Sequence, residues 1–432
     1  MSDYPHIAVP FVVHCGLLNQ RYNDSRPTTY DSRPTTYDSR PTTYNLRPTT
    51  YDSRPTTYDS RPTTHQRTTH NFLKAVIGAL IVFAIVAYIV FYTPLLSYVI
   101  NSLKLGEPEY VELEVTRKFD ILTDRRIDYS VHLPVPKNID GIQTITYKTT
   151  PQYTPTTMYG ILWMNWSGTL AQSPSAPKTQ TIIIDYKITT RARKFEYSRD
   201  DVLTVNDIPQ SLKTKFPANR DEWKITPTDS TLRTVAQTVT GGKTNVYDIL
   251  ESIYNYMTKE YKYETIRDSE VKSAIQTYND KRGDCDDQSV LFATLARAVN
   301  VPAWLELGAI YDPIMQKWIG HGWVKSYMPI KDGSGIYVYI DVVNYQVYPF
   351  LFRSANRYTE WESDGNPDHM RYYYYYFSYT YSAPQPNVDF KDSIEGKSFS
   401  GSNYILTINP LWLWLIPIVC GAITYVAIRR GE

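Results

Sequence analysis

Apolar and polar residues alternate in five short runs between residues 108 and 200, and prolines fall between the runs. A period of two residues is typical of a strand with one buried face. Several short strands at regular spacing predict a β-sandwich, which we place at residues 105–200. The five runs cover residues 110–116, 127–133, 143–149, 159–166 and 181–189.

The spacing of apolar residues changes to a helical period after a connector at residues 201–228. Asn245 can cap one helix, whose apolar residues share a face, and another helix begins at Cys285. Strands are then predicted over residues 303–311, 318–327 and 335–343. Residues 229–360 therefore read as an α+β domain.

Tyrosine dominates the sequence beyond this domain. Residues 372–381 are nearly saturated with tyrosine and predict an edge strand, whereas residues 382–403 are polar and contain prolines. We expect residues 361–404 to supply one strand and a linker.

Two long apolar segments predict membrane-spanning helices at residues 72–100 and 405–428. Each is long enough to cross a bilayer, and the length of charge-free sequence disfavours the alternative of two buried core helices. Arginines and Lys74 precede the apolar run that starts at Ala75, and glutamates follow the segment. By the positive-inside rule, we expect a multi-pass cell-membrane protein with both termini in the cytoplasm and residues 101–404 outside the cell.

A seven-residue repeat, Asp-Ser-Arg-Pro-Thr-Thr-Tyr, begins at Asp24 and decays near His65. Its prolines and its lack of paired apolar positions argue against a coiled coil. The composition instead predicts a disordered cytoplasmic tail over residues 1–71. This tail is either a solvated tether, which we favour, or a multivalent docking tract for a cytoplasmic partner.

Charge and cysteine usage exclude several classes of function. The formal net charge is +1, and no basic stripe with interleaved aromatic residues is present, so no nucleic-acid partner is expected. The three cysteines, Cys15, Cys285 and Cys420, lie far apart, which argues against a disulfide framework and a thiolate zinc site. A calcium site near the Asp-rich turn lacks a full ligand set, so we expect no metal and no cofactor.

The residues capable of nucleophilic chemistry form a short list. Cys285 opens a predicted helix, where free N–H groups and the helix dipole favour a thiolate. His321 lies on a strand that follows this helix, whereas His132 and His369 lie elsewhere in the sequence. Asp341 ends the apolar run on the next strand, which can place it beside His321. Thiol acyl transfer needs such a nucleophile, a histidine base and a group that orients the histidine.

Three carboxylates flank the thiol. Asp284, Asp286 and Asp287 bring negative charge that opposes thiolate formation, and the helix N-terminus and a protonated His321 must outweigh it. Asp287 also has a simpler role as a first-turn residue that complements the helix dipole.

The combination of Gly283-Asp284-Cys285, the helix after it, His321-Gly322-Trp323 and the run at residues 337–341 resembles the transglutaminase-like superfamily, a group with a papain-like fold. The resemblance covers about residues 225–345. It implies that Cys285 is the nucleophile, His321 the general base and acid, and Asp341 the orienting carboxylate. Gly322 stands where the family more often has alanine.

The resemblance also implies a fold and an activity. The β-rich region resembles the sandwich that often precedes this core in membrane-anchored prokaryotic members, and the composition suggests an archaeal cell-surface protein. The implied activity is cleavage or transfer of peptide or amide acyl groups through an acyl-enzyme, with a protein or peptide substrate outside the membrane and a choice between water and an amine as acceptor. The alternative is a non-catalytic surface binding or scaffold module, because the superfamily includes inactive members.

Overall fold

The computed structural model describes residues 6–9, 107–158, 161–171, 178–264, 270–312, 317–345, 348–400 and 404–405. Within these ranges, no helix is both long and apolar enough to cross a membrane. The predicted span at residues 72–100 and the heptad repeats lie outside the described residues. The same is true of the span at residues 405–428, apart from Ile405, which ends a short strand.

The strands predicted over residues 105–200 are present. Strand β3 shows why alternation was informative, because Val111, Leu113 and Val115 are buried while Glu112 and Glu114 are exposed. The strands of this part of the chain, with the one near the start, are β1 His6–Val9, β2 Glu107–Pro108, β3 Tyr110–Thr123, β4 Ile127–Pro134, β5 Gln143–Thr150, β6 Thr154–Met158, β7 Ile161–Leu170 and β8 Lys178–Arg191.

The connector at residues 201–228 contains short helical turns and leads into the α+β domain. The helices are α1 Gln210–Lys215, α2 Ser230–Thr240, α3 Val246–Glu260, α4 Ala274–Asp280, α5 Cys285–Ala298 and α6 Pro367–Tyr374. The strands are β9 Lys262–Tyr263, β10 Arg282–Gly283, β11 Ala303–Asp312, β12 Lys317–Pro329, β13 Gly335–Ile340, β14 Arg357–Glu362, β15 Phe377–Thr380, β16 Val388–Ser400 and β17 Tyr404–Ile405.

Helix α5 is the centre of this domain, and every one of its residues is buried. It contacts α2, α3 and α4 on its outer sides and strands β11 and β12 of the central sheet. That sheet is antiparallel, in the order β13-β12-β11-β14. Because side chains alternate across a strand, Val324 faces the helices while its neighbour Trp323 packs with Ile142 of the sandwich.

The sandwich has two sheets, with strand orders β16-β3-β8-β5 and β1-β15-β4-β7-β6, and one apolar core between them. Strands β15 and β16 come from beyond the α+β domain, so the sandwich extends past residues 105–200. The linker predicted at residues 382–403 is wrong for β16, which pairs with β3 over its whole length. Its Val388, Phe390 and Ile394 side chains are partly buried against the sandwich core, and Phe390 stacks on Phe377.

The tyrosine-rich run also differs from the prediction of one strand over residues 372–381. Helix α6 ends at Tyr374, and the strand is limited to β15. Asn366 caps α6 and Pro367 occupies its first turn, which are ordinary helix-start signals. In the prediction from sequence, the β propensity of tyrosine outweighed these helix-start signals.

Strand β1 lies within the segment expected to be a disordered tail. It pairs antiparallel with β15, with His6 opposite Thr380 and Val9 opposite Phe377. A single membrane crossing at residues 72–100 would separate these two strands. The β1–β15 pairing and a cytoplasmic location of residues 1–71 therefore exclude one another if that crossing exists.

Candidate active site

Cys285 is the first residue of α5 and is fully buried. Asp284 caps the helix by accepting a hydrogen bond from the Asp287 N–H, and the Asp287 carboxylate accepts one from the Asp284 N–H in return. This reciprocal capping box fixes the first turn and so fixes where the sulfur lies. The sequence expectation of a thiol at a helix N-terminus is confirmed in position.

Cys285 is disulfide-bonded in this structure. No disulfide was expected from the spacing of the three cysteines. A disulfide sulfur is not a nucleophile of the thiolate type, so acyl-transfer chemistry at this position requires reduction first.

His321 and Asp341 meet on neighbouring strands. His321 lies in β12, Asp341 directly follows β13, and these strands pair antiparallel. The His321 Nε2 and Asp341 Oδ2 atoms are 2.8 Å apart, and both side chains are buried. Because an ionised carboxylate only accepts hydrogen bonds, Nε2 carries the proton in this contact.

Asp341 is held by a set of donors that sequence reasoning missed. Its Oδ1 accepts hydrogen bonds from the N–H groups of Val343 and Asn344, at 3.3 and 3.2 Å. Its Oδ2 accepts from Asn344 Nδ2 at 3.0 Å and from Arg357 Nη2 at 3.4 Å. The turn Asp-Val-Val-Asn after an apolar strand was the available signal for Asn344, since Asp in a turn commonly accepts from the backbone two or three residues on.

These contacts keep Asp341 ionised. Burial alone would raise its pKa, but the His321 ring, the Arg357 guanidinium and the Asn344 amide together hold the pKa of Asp341 well below its ordinary value. The carboxylate is therefore an anion throughout the neutral range. Its charge is available to His321 whenever the ring is protonated.

The strand that carries His321 also touches the cysteine. The Gly322 N–H donates to Cys285 Sγ at 3.4 Å, which places the sulfur one residue from His321 along β12. A Cβ at Gly322 would lie 2.9 Å from Leu307 Cδ2 and 3.4 Å from Asp286 Cβ. The tight contact is therefore with the Leu307 side chain of β11, whereas the distance to Asp286 of α5 is an ordinary van der Waals contact. An alanine at this position would require the Leu307 side chain to shift.

The acidic flank forms a buried cluster. One ligand atom from each of Asp284, Asp286 and Asp287 lies within 4.8 Å of the others, so among the described residues these three are the candidate metal ligands. Backbone N–H groups bond part of the cluster, since Asp287 Oδ1 accepts from Lys272 at 2.7 Å and Asp286 Oδ1 accepts from Asp287 at 3.1 Å. Asp286 Oδ2 is buried and has no hydrogen-bond partner among the described residues. Asp284 and Asp287 are thus accounted for as helix-capping groups, whereas Asp286 is not.

The charge of this cluster is lower than three carboxylates would suggest. Burial, reinforced by the neighbouring carboxylates, raises the pKa of Asp284 well above its ordinary value and the pKa of Asp287 to about 7. Protons shared within the cluster reduce the repulsion that an adjacent thiolate would meet. The electrostatic objection raised by the sequence is weaker in the folded protein.

The other two histidines of this region lie away from the pair. The His132 ring stacks on Tyr372 at a centroid distance of 3.5 Å and hydrogen-bonds the Tyr372 carbonyl through Nε2. His369 lies in α6, and its Nδ1 atom hydrogen-bonds Asp364 Oδ2, just before that helix, at 2.6 Å. Of these three histidines, His321 is the one bonded to Asp341, and it is followed in β12 by Gly322, whose N–H reaches Cys285 Sγ.

A cysteine at the start of a buried helix, packed on an antiparallel sheet that carries histidine and aspartate, is the transglutaminase-like version of the papain-like fold. In agreement, residues 233–342 match the family model described as the transglutaminase-like superfamily, so the chain contains a domain of that superfamily. No curated protein matches the chain.

Solved structures give more distant likenesses. A candidate cysteine protease from Cytophaga hutchinsonii is 12% identical, with 67% of this chain and 91% of that chain covered and a TM-score of 0.46. The periplasmic domain of TgpA from Pseudomonas aeruginosa is also 12% identical, with 58% and 92% covered and a TM-score of 0.29. A candidate protease from Parabacteroides distasonis is 14% identical, with 51% and 45% covered and a TM-score of 0.22.

Proposed function

We propose that this protein is a thiol enzyme that cleaves or transfers peptide or amide acyl groups through an acyl-enzyme on Cys285. The observation that carries the proposal is the 2.8 Å contact between His321 and Asp341 on the strand whose Gly322 N–H reaches Cys285 Sγ. These two contacts support a site with Cys285 as the nucleophile, His321 as the base and Asp341 as the orienting carboxylate.

The chemical steps follow from these positions. His321 takes the proton from the Cys285 thiol, and the sulfur attacks the substrate carbonyl to give a tetrahedral oxyanion. The Cys285 N–H, at the N-terminus of α5, is the backbone group that would stabilise that charge. As the C–N bond breaks, His321 gives its proton to the leaving amine, and a thioester remains on Cys285.

Water or an amine then resolves the thioester. His321 takes a proton from the incoming acceptor, the C–S bond breaks, and the proton returns to the Cys285 sulfur. Asp341 accepts a hydrogen bond from Nε2 throughout, so the other ring nitrogen, Nδ1, is the one that exchanges protons with the sulfur. No described residue selects between water and an amine as the acceptor.

The disulfide at Cys285 makes the proposal conditional on the redox state. Reduction must precede the first step, because only a thiolate can attack the carbonyl. Activity should therefore be absent without reductant and appear after treatment with a phosphine.

We also propose that residues 72–100 and 405–428 anchor the enzyme in a cell membrane with residues 101–404 on the outer side, which the charge distribution around the first segment supports. Protease protection of sealed vesicles tests this arrangement. Accessibility of residues 1–71 would decide between the β1–β15 pairing, which requires them on the outer side, and a cytoplasmic tail able to bind a partner.

An electrophilic peptide-amide probe tests the enzymatic proposal. In the reduced full-length protein, the probe should label Cys285, and labelling should be lost in Cys285→Ser and His321→Ala but retained in the control His369→Gln. Trypsin cleavage after Arg282 and Arg297 isolates Cys285 from the other cysteines for mass spectrometry. Equal labelling of wild type and His321→Ala would contradict the proposal.

A second function, a non-catalytic surface binding module, has one observation in its favour: Cys285 is fully buried and disulfide-bonded. In that case the cysteine stabilises the fold, and the domain binds peptide or polymer without turning it over. Absence of labelling after complete reduction, together with unchanged binding by Cys285→Ser, would favour this function.

A further inference from the structure

Arg357 is a fully buried arginine beside the His321–Asp341 pair. It is the first residue of β14, the strand at the opposite edge of the central sheet from β13. Its Nη2 atom lies 3.4 Å from Asp341 Oδ2. The same oxygen accepts from His321 Nε2 at 2.8 Å. One carboxylate oxygen is therefore shared between the guanidinium and the imidazole.

The guanidinium is held in place by aromatic rings. Its central carbon lies 4.7 Å from the Trp323 ring centroid and 5.7 Å from the Tyr348 ring centroid. Trp323 is anchored in turn by a 2.6 Å hydrogen bond from its indole N–H to Glu306. Stacking of this kind suits the flat, delocalised charge of arginine and would not hold a lysine ammonium in the same way.

Asp341 is the acid to which this guanidinium bonds among the residues that the structure describes. The Arg357 Nε and Nη1 atoms are buried and have no hydrogen-bond partner in that part of the chain. A buried cation with so few other contacts adds little to stability by itself, because its desolvation opposes the attraction of the pair. Its placement points to a role at the carboxylate.

We propose that Arg357 is a positioning residue that fixes Asp341 and shares its negative charge with His321. This inference rests on the proposed function and adds a fourth member to its site. Two cations compete for one carboxylate oxygen, so Arg357 limits how strongly Asp341 stabilises a protonated His321. The ring can then give up its proton to the leaving amine.

The β-sandwich also contacts β14, the strand that carries Arg357. Gln143 of β5 accepts from the Thr359 N–H at 2.8 Å and donates to the Thr359 carbonyl at 2.9 Å. Thr359 Oγ1 donates to Glu306 at 2.8 Å, and Glu306 anchors the tryptophan on which Arg357 stacks. The position of Arg357 thus depends on contacts between the β-sandwich and the α+β domain.

The test compares the pH dependence of Cys285 alkylation in reduced full-length wild type, Arg357→Gln, Arg357→Met and Arg357→Lys. A thiolate–imidazolium pair reacts between two apparent pKa values, the upper of which reports loss of the histidine proton. The neutral variants should raise this upper value by up to about one unit, because the carboxylate is no longer shared. Their reaction with the peptide-amide probe should fall about 10- to 100-fold, because Asp341 is less well fixed.

The lysine variant keeps the charge but not the planar fork. Its upper apparent pKa should stay at the wild-type value while the probe reaction falls by less than in the neutral variants. Arg357→Met keeps an apolar stem against Trp323 and serves where Arg357→Gln does not fold.

Two results would overturn the role of Arg357. The first is that Arg357→Gln and Arg357→Met fold and have pH profiles that superimpose on the wild-type profile. The second is that Arg357→Lys shifts the upper apparent pKa as far as these neutral variants do. An ordinary thiol titration in the wild type itself would instead refute the proposed function, and the role of Arg357 with it.

Discussion

His321 Nε2 donates to Asp341 Oδ2 across 2.8 Å, and each of these side chains is about 2% exposed. The contact fixes both the orientation of the ring and the nitrogen that carries the proton. In water such a pair would exchange with solvent, whereas burial keeps it in one geometry.

Replacing Asp341 by Asn tests this relationship. The amide is nearly isosteric, but it lacks the charge and can present an N–H to His321, which would reverse the ring tautomer. We expect the rate of acyl-enzyme formation to fall about 10²- to 10⁴-fold in a folded but less stable protein, because the buried Arg357 loses its acid partner. Asp332→Asn, at an exposed turn residue, is the matched control. A variant with wild-type kinetics would show that Asp341 has no part in the chemistry.

Removing one charge from the acidic cluster should activate the thiol. Asp286→Asn keeps an acceptor for the Asp287 N–H and removes negative charge next to Cys285. The apparent pKa of the Cys285 thiol should fall, so the alkylation rate of the reduced protein should rise severalfold near pH 6. Glu264→Gln, a half-exposed acid of the same domain, is the control. A slower or unchanged rate would mean that the cluster is already neutral there.

Close packing at Gly322 predicts a measurable cost for the family's commoner residue. Gly322→Ala should lower the free energy of unfolding by about 1–3 kcal/mol, because its Cβ would meet Leu307 Cδ2 at 2.9 Å. Leu307→Val removes that atom. In a double-mutant cycle by chemical denaturation, the double variant should be more stable than the sum of the two single effects predicts. Strictly additive changes in the free energy of unfolding would show that the contact with Leu307 Cδ2 is not the source of the cost.

His132 predicts a loss of stability in acid. Burial lowers its pKa from 6.5 to about 4, although the hydrogen bond to the Tyr372 carbonyl opposes the shift. The unfolded chain therefore binds a proton before the folded one does. The contribution of His132 is fully present above pH 6.5 and is lost as the pH falls from 6.5 to about 4, by about 3 kcal/mol in total.

His132→Phe keeps an aromatic ring against Tyr372 and removes the titration. Denaturant unfolding at pH 7 and pH 5 should show a smaller loss of stability in this variant than in the wild type, by about 2 kcal/mol. The comparison with the variant is needed because the acidic cluster changes the stability with pH in the opposite direction. With its pKa raised to about 7, Asp287 favours the folded state at low pH and disfavours it as the pH rises. Parallel pH dependences would refute the role of His132.

The sequence was informative wherever one face of an element is buried. Strands β3, β4, β5, β7 and β8 and helices α2 and α3 follow apolar periods. Cys285 and His321 lie on α5 and β12, whose apolar runs were recognised, and Asp341 directly follows β13. Strand β6, which is polar and largely exposed, was not predicted. Strand β16 was missed because its few apolar residues, Val388, Phe390 and Ile394, are spread among polar ones and only partly buried, and its partner β3 is distant in sequence. Helix α6 was missed because tyrosine suits a strand as well as a helix surface.

The support of the site could not be predicted in the same way. Arg357 and Glu306 are charged residues on strands, and a sequence pattern places such residues on the surface. They are buried because β14 joins the central sheet next to β11 and the sandwich covers that face. Only the pairing of distant strands shows which charges face each other.

Alkylation of Cys285 as a function of pH tests the central claim most directly. The full-length protein is reduced, treated with iodoacetamide between about pH 5 and 9, and digested with trypsin so that the peptide of residues 283–297 reports on this cysteine alone. We predict a reactive thiolate below pH 7 in wild type, with a rate at pH 6 at least about tenfold above that of His321→Ala. Superimposed profiles with an ordinary thiol pKa near 8.5 would contradict the account.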